Sequence, residues 1–399
     1  MARPIRALVA ALLAVGLSGA VVATAGTDAG AASKPRTLTI GVIAPIDAGL
    51  TSFGQGIRNS VQLAVDQADA DKTIPGWTVK LRVLDDSSDP AKGKAAAAKL
   101  AADPNVVAVV GPYNSGVAEQ AAPVLAKRGI ALVSPSNTLT SLTLGADPTH
   151  PKRPWKTYFR LVGPDSLQAE FLASKAHALG FSSAAVVSET KAVSKGLADR
   201  FADAFTADGG TVTVHQTVPD NATDFTTFLQ AAAPTTPSLI FFGGEYNVAA
   251  TLRTAATSAG LTVPVMGGDG MNDPAYISGA GAAAAGSYAS GVGAPLATLP
   301  GANEFLAAYN QAGFTSAPTD YGPDAYDAAN AVLAALKPVL QGKQSLPSNT
   351  RASVVSGLQK THTTGVTGDI SFDSYGDRVD PTFTLYTVAG SPLAWTPVP

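Results

Sequence analysis

The chain of 399 residues contains no cysteine. This absence excludes disulfide bonds, nucleophilic catalysis by a thiolate and zinc sites built on cysteine. It also excludes a lipid-modified cysteine behind a leader segment. The stability of the fold therefore depends on the size of its hydrophobic core.

Charged residues are scarce as well, at 14% of the chain, and the formal net charge is −3 without any polybasic block. Binding of nucleic acid by a basic face is not expected from such a composition. Hydrophobic residues make up 46% of the chain, which is typical of a globular protein with packed cores. The length is sufficient for two domains of ordinary size.

Long apolar runs are absent beyond the N-terminus. Arg3 and Arg6 precede an apolar run at residues 7–15 and two A-x-A sequences, a pattern typical of a secretory signal peptide. A transmembrane anchor needs about 20 apolar residues, and this tract is interrupted at Ser18. We predict a signal peptide and linker over residues 1–34 and a secreted, extracytoplasmic protein.

Strand and helix patterns alternate from residue 38 to about residue 290, which predicts two doubly wound α/β lobes in series. The predicted strands are residues 38–43, 79–84, 106–110, 130–133, 158–161, 184–187, 212–218, 238–242 and 263–266. Residues 139–156 read as a loop. Helices are predicted at 303–311 and 324–340, followed by a hairpin-like tail of 368–373 and 382–388.

Signals for catalysis are weak. The chain has four histidines, none at metal-ligand spacing, and neither a G-x-S-x-G elbow nor a phosphate-binding loop of the G-x-x-x-x-G-K-[ST] type. The acidic run Asp85, Asp86 and Asp89 is better explained by a strand-end turn and helix capping than by acid–base chemistry. We predict no enzymatic activity, no cofactor and no metal.

The most informative stretch is residues 106–138, which reads as strand, turn, helix, strand and turn. The two turns, 111–116 and 134–138, follow neighbouring parallel strands, where open α/β sheets bind ligands. Ser115, one residue before the predicted helix, and Thr138 present hydroxyl and backbone N–H groups there, an arrangement suited to a carboxylate. The stretch predicts recognition of a small anionic or zwitterionic solute.

The second lobe has comparable turns at residues 241–246 and 265–270, and these carry Glu245 and Asp269. Hydroxyl groups on one lobe that face carboxylates on the other suit an α-amino acid. One side receives its carboxylate and the other its ammonium group.

From residue 38 to residue 388 the chain resembles the periplasmic solute-binding proteins for branched-chain amino acids, the leucine/isoleucine/valine-binding family of ABC transporters. No single motif carries the resemblance; the order and spacing of several do. They are residues 52–56, 85–90, the two turns of the first lobe, 158–160, 243–246, 267–270 and 367–377.

The resemblance implies a role for individual residues. Ser115 matches the serine that binds the ligand carboxylate. Ser136 matches a residue whose carbonyl binds the ammonium group, and Thr138 matches a threonine that binds polar groups of the ligand. Asp269 takes the position of the acid that pairs with the ammonium group.

Phe53 and Tyr321 match aromatic positions that wall the side-chain pocket. Glu245 departs from the family, since better-known members have tyrosine there, so the pocket is more acidic and its ligand need not be leucine-like. Three further residues of these turns complete the predicted site: Tyr113, Asn114 and Tyr246.

We therefore predict a type I periplasmic-binding architecture with three crossovers, near Arg160, Ser290 and Phe372. The first lobe comprises residues 35–160 and 291–371, and the second comprises 161–290 and 372–399. The predicted function is capture of a small ligand, an amino acid or related carboxylate, by a monomer that delivers it to an ABC permease. The alternatives are an extracellular sensor subunit of the same fold and a secreted hydrolase.

Overall fold

A computed structural model describes residues 36–399. The predicted signal peptide lies outside the described residues. Among the described residues, the strands in chain order are β1 Arg36–Ala44, β2 Trp77–Asp85, β3 Val106–Val110, β4 Ala131–Ser134, β5 Tyr158–Arg160, β6 Ser183–Glu189, β7 Thr211–Val218, β8 Leu239–Gly243, β9 Val265–Gly267, β10 Tyr288–Gly291, β11 His362–Gly365, β12 Gly368–Ser371, β13 Thr384–Ala389 and β14 Ala394–Pro397.

Helices alternate with the strands over most of this range. They are α1 Thr51–Ala70, α2 Pro90–Ala101, α3 Ser115–Ala126, α4 Ser141–Leu144, α5 Asp165–Ala178, α6 Ala192–Ala207, α7 Thr226–Ala232, α8 Tyr246–Ser258, α9 Pro274–Ala280, α10 Ala302–Gln311, α11 Gly322–Leu340 and α12 Thr350–Gln359. In the part of the chain that the structure covers, no helix has the length and apolar character needed to cross a membrane.

The first lobe is built on a parallel sheet of five strands in the order β2-β1-β3-β4-β5. Strand β3 shows why the sheet forms here, since its sequence VVAVV is buried along its whole length. Val107 and Val110 belong to one hydrophobic cluster of the lobe, and Val106 and Val109 belong to another. Parallel sheets covered on both faces have such uninterrupted apolar strands.

The second lobe is built on a sheet of seven strands in the order β14-β13-β10-β9-β8-β6-β7. Strands β6 to β10 are parallel to one another, and β13 and β14 are antiparallel additions at one edge. Two further hydrophobic clusters cover the two faces of this sheet. The predicted α/β class with two doubly wound lobes is confirmed.

The acidic run of residues 85–89 has the structural role that we favoured. The side chain of Asp89 accepts hydrogen bonds from the backbone N–H groups of Ala91 and Lys92, and Pro90 occupies the first position of α2. Asp89 is therefore the N-cap of that helix.

Three local predictions were wrong. The loop at 139–156 contains the short helix α4. The two segments of the predicted tail hairpin do not pair with each other, because β12 pairs with β11 and β13 joins the second sheet beside β10. Ser115 is the first residue of α3 and does not precede that helix.

Candidate functional site

A cavity lies between the carboxyl ends of the two sheets, and its space of about 420 Å³ includes solvent at its open mouth. Seven of the ten predicted site residues line it: Tyr113, Asn114, Ser115, Ser136, Thr138, Glu245 and Asp269. Five of them come from the first lobe and two from the second. The turns after β3, β4, β8 and β9 therefore converge on one space.

The turn after β3 brings the chain close to β1. Gly111 has a φ of +104°, and a Cβ atom at this position would lie 2.1 Å from the carbonyl oxygen of Ile43. Only glycine fits both the backbone conformation and the close approach. The turn then leads into α3 at Ser115, where the first N–H groups of the helix have no partner within the helix.

The two turns of the first lobe are tied together by hydrogen bonds. Ser136 Oγ and Asn137 Nδ2 both donate to the carbonyl oxygen of Tyr113, at 3.0 and 2.6 Å. Ser115 Oγ accepts a hydrogen bond from the backbone N–H of Leu139 at 3.3 Å. The hydroxyl side of the cavity is consequently fixed by contacts within its own lobe.

Asp269 is held by donors from both lobes. Gln168 Nε2 donates to Oδ1 at 2.8 Å, and Tyr321 Oη donates to Oδ2 at 2.7 Å. Removal from bulk water raises the pKa of Asp269, although the two hydrogen bonds oppose that rise. Its carboxylate is thus oriented before any ligand arrives.

Glu245 is buried and accepts a hydrogen bond from Tyr113 Oη at 3.1 Å. Burial raises the pKa of Glu245 to about 8, against the opposing effect of Lys191 and with support from the charge of Glu189. Because this pKa lies above neutral pH, Glu245 holds a proton at pH 7 in the absence of a ligand.

Asp165 also lines the cavity and was missed at the sequence level. It is 2% exposed, and neither of its carboxylate oxygens has a hydrogen-bond partner within residues 36–399. Burial, followed by the charge of Asp269, raises its pKa to about 7. The available signal was its position at the start of α5, just after β5, on the same edge of the sheet as the predicted turns.

The aromatic residues lie beside the cavity. Phe53, Tyr246 and Tyr321 are not among the residues that line it. The ring of Tyr113, which does line the cavity, stacks on Phe53 at a centroid distance of 4.7 Å. Tyr321 and Tyr246 pack edge-on against Phe53 at 5.0 and 5.5 Å. This aromatic cluster supports Tyr113 from behind.

Direct hydrogen bonds join the lobes around the cavity. Two of them are described above, from the phenols of Tyr113 and Tyr321 to the second-lobe carboxylates. A third runs from Ser52 Oγ to Asp273 Oδ2 at 2.8 Å. The lobes are therefore in contact on the α1 side of the site as well as at its floor.

A second, wider space opens next to the cavity, and we call it the outer cleft. Asn114, Val193 and Glu245 line both spaces. The charged residues of the outer cleft are Asp89, Glu119, Lys191, Asp220 and Glu245. Glu245 thus stands at the junction between the inner cavity and the outer cleft.

Sequence comparison supports the predicted family. A family model described as periplasmic binding protein matches residues 37–392. The Leu/Ile/Val-binding protein BraC3 of Rhizobium johnstonii is 31% identical over 241 residues, which are 60% of this chain and 63% of that relative, so the match spans a little under two thirds of its length. The Leu/Ile/Val-binding protein homolog 1 of Brucella melitensis is 27% identical over 368 residues, 92% of this chain and 94% of that relative.

Structural comparison gives the same picture. The leucine-binding protein LivK of Thermotoga maritima matches with a TM-score of 0.79 and 24% identity, over 90% of this chain and 97% of that one. The substrate-binding protein LivJ of Streptococcus pneumoniae, in complex with isoleucine, matches with a TM-score of 0.77 and 25% identity, over 91% of this chain and all of that one. The predicted two-lobe architecture is confirmed.

Proposed function

The chain belongs to the periplasmic binding protein family, and we propose that it captures an amino acid between its lobes and delivers it to an ABC transporter permease. The observation that carries this proposal is the pairing of walls across one cavity. Hydroxyl and N–H groups of the first lobe face carboxylates of the second.

In the proposed binding mode, Ser115 and Thr138 receive the ligand carboxylate at the N-terminus of α3. Helix N-termini favour anions through their free N–H groups and the helix dipole. Asp269 receives the ammonium group, and Gln168 and Tyr321 hold its carboxylate in place. An enclosed ammonium group without a fixed negative charge beside it would be costly.

The proposed lobe boundaries follow the division of the strands between the two sheets. We place crossovers near Arg160, Ser290 and Phe372, so that each lobe is discontinuous in sequence. The strands before the first crossover belong to the five-stranded sheet, and those between the first and second belong to the seven-stranded sheet. We further propose that the protein is exported, is not an enzyme and acts as a monomer.

A thermal-shift screen over all proteinogenic amino acids tests the proposed function. A ligand at a hundredfold excess over its Kd stabilises the folded protein by about 2.7 kcal/mol, and its Tm rises accordingly. We expect at least one amino acid to give such a shift and a measurable heat in titration calorimetry. The absence of both for every amino acid would reject the proposal.

A further inference from the structure

The inner cavity is lined by three carboxylates and no cation. Asp165 and Glu245 are buried, and Asp269 keeps part of its surface open to the cavity. None of the residues that line this space is lysine, arginine or histidine. Across the chain from residue 36 onward, no ion pair involves any of the three acids.

The nearby cation, Lys191, is committed elsewhere. Its Nζ lies 2.9 Å from Oε1 of Glu189, a carboxylate that is fully buried. The same oxygen of Glu189 also accepts a hydrogen bond from the backbone N–H of Asn221 at 2.9 Å. Lys191 therefore forms its direct ion pair with Glu189 and acts on Glu245 only through its more distant charge, which lowers the pKa of Glu245.

A zwitterionic ligand supplies one ammonium group for the three acids. Its carboxylate occupies the hydroxyl wall, its ammonium group pairs with Asp269, and Asp165 and Glu245 keep their raised pKa values with no cationic group of the ligand beside them. Asp165 shows the deficit most directly, because it lines the cavity and neither of its buried carboxylate oxygens has a hydrogen-bond donor among the described residues. Buried carboxylates are normally paired or hydrogen-bonded.

The position of Glu245 indicates where a second cationic group belongs. Glu245 lines both the inner cavity and the outer cleft, so a side chain that leaves the cavity toward the cleft passes it. Beyond it, the outer cleft adds Asp89, Glu119 and Asp220. Among the residues that line the outer cleft, these acids outnumber the cation Lys191, which is paired with Glu189.

We propose that the ligand is an amino acid with a cationic side chain, of the lysine, ornithine or arginine type, and that Glu245 binds its second cationic group. This proposal rests on the proposed function, since it assumes that the α-carboxylate and α-ammonium groups are held as described above. It adds two points to that function: the ligand side chain carries a positive charge, and Glu245 binds it.

Titration calorimetry with matched ligands tests the proposal. Norleucine has the carbon chain of lysine without the terminal ammonium group, so the pair isolates that group. We expect at least one of lysine, ornithine and arginine to bind about 10- to 150-fold more tightly than norleucine, the range for a charge-assisted hydrogen bond. Norleucine or leucine binding as tightly as all three would overturn the proposal while leaving amino-acid capture intact.

The variant Glu245→Gln separates the role of this side chain from that of the pocket. It should reduce the affinity for the basic amino acid by a similar factor, and by a larger factor than it reduces the affinity for norleucine. Glu170→Gln, an exposed position on α5, is the matched control and should change neither. Equal losses for both ligands in Glu245→Gln would reject Glu245 as the reader of the second charge.

Proton release on ligand binding is measured with the unaltered protein, so this test does not depend on whether a variant folds. At pH 7 the ligand-free protein holds a proton on Glu245, since burial raises its pKa to about 8. A cation bound beside Glu245 stabilises the carboxylate and expels that proton. Calorimetry in phosphate and in Tris, which differ in ionisation enthalpy, should reveal proton release with the basic amino acid and less with norleucine. Equal release with both would contradict the proposal, whereas the absence of binding by any amino acid would reject the proposed function itself.

Discussion

The first lobe lines the cavity with hydroxyl groups that are already engaged in hydrogen bonds, whereas the second lobe lines it with carboxylates that form no ion pair within residues 36–399. Ser115 and Ser136 bond to backbone groups of neighbouring turns and need no ligand to be placed. Asp165 and Glu245 are buried acids whose pKa values are raised to about 7 and 8. In the ligand-free protein, ionisation of these two acids destabilises the folded state.

This difference assigns different tasks to the lobes. A wall that is fixed in advance lowers the entropy cost of binding, because few side chains must be ordered. A wall of unpaired acids gains most from a ligand that supplies positive charge. In the proposed binding mode, the first lobe thus sets the geometry of recognition and the second sets its charge.

The largest expected effect comes from the removal of a charge on the acidic side of the cavity. Asp269→Asn preserves the shape of the side chain and removes its charge, so binding of the amino acid identified by the screen should weaken by about 2–5 kcal/mol. The matching 2-hydroxy acid lacks the ammonium group and should bind as well as before, or better. Titration calorimetry with both ligands makes the comparison.

The control for this substitution is Asp203→Asn, which removes the same charge from an exposed position on α6. It should leave both affinities unchanged. If Asp269→Asn weakens the two ligands equally, Asp269 shapes the turn without reading the ammonium group, and the acidic site must be redrawn around Glu245 and Asp165.

The second largest expected effect comes from the removal of a hydroxyl group on the first-lobe side of the cavity. Ser115→Ala removes one hydrogen bond to a charged group, about 1.5–3 kcal/mol, so affinity should fall roughly 10- to 150-fold for the amino acid and for its 2-hydroxy analogue alike. Ser356→Ala, exposed on α12, serves as the control. Unchanged calorimetric affinity in Ser115→Ala would remove this serine from the site.

The pH dependence of stability sharpens the comparison. The folded protein retains protons on Asp165 and Glu245 at pH values where the unfolded chain, with pKa values of 3.8 and 4.5, has released them. The folded state therefore binds more protons, and the stability of the ligand-free protein decreases as the pH rises from about 4 toward 8.

Asp165→Asn removes one of these two groups, so the Tm measured between pH 5 and 8.5 should decline less steeply than in the parent. The exposed change Asp203→Asn should not alter the slope. Identical slopes in Asp165→Asn and the parent would mean that Asp165 titrates like a solvated carboxyl.

The smallest expected effect concerns the contact between the lobes outside the cavity. Ser52→Ala removes the hydrogen bond to Asp273, about 0.5–1.5 kcal/mol, and should weaken every ligand by the same factor of a few. Ser278→Ala, an exposed position on α9, is the control. A loss that differs between the amino acid and its 2-hydroxy analogue would contradict a purely interlobe role.

Much of the site follows from the sequence because its residues occupy turns directly after apolar strands. Residues 106–110 and the turn that follows are a clear example, since local pattern alone defines both the strand and its carboxyl end. Glu245 and Asp269 follow their strands in the same way. Asp165 was not predicted as a site residue because it begins a helix and does not lie in a polar turn.

Other features depend on contacts between distant segments and have no local signal. Helix α12 packs against α11 so closely that a Cβ atom at Gly357 would lie 2.7 Å from Cβ of Ala335, which the weak pattern of residues 350–359 does not indicate. Strand β13 pairs with β10, about a hundred residues earlier in the chain. The aromatic cluster around Phe53 likewise assembles from four separate segments of the chain.

The phenol hydrogen bonds across the cavity bear on the residence time of the ligand. An enclosed molecule leaves only when the lobes separate, and separation breaks the contacts of Tyr113 with Glu245, Tyr321 with Asp269 and Ser52 with Asp273. The same contacts are present without a ligand, so they must break for entry as well as for escape, and they slow both steps. A receiving membrane protein that pries the lobes apart would act on the slow step of the cycle.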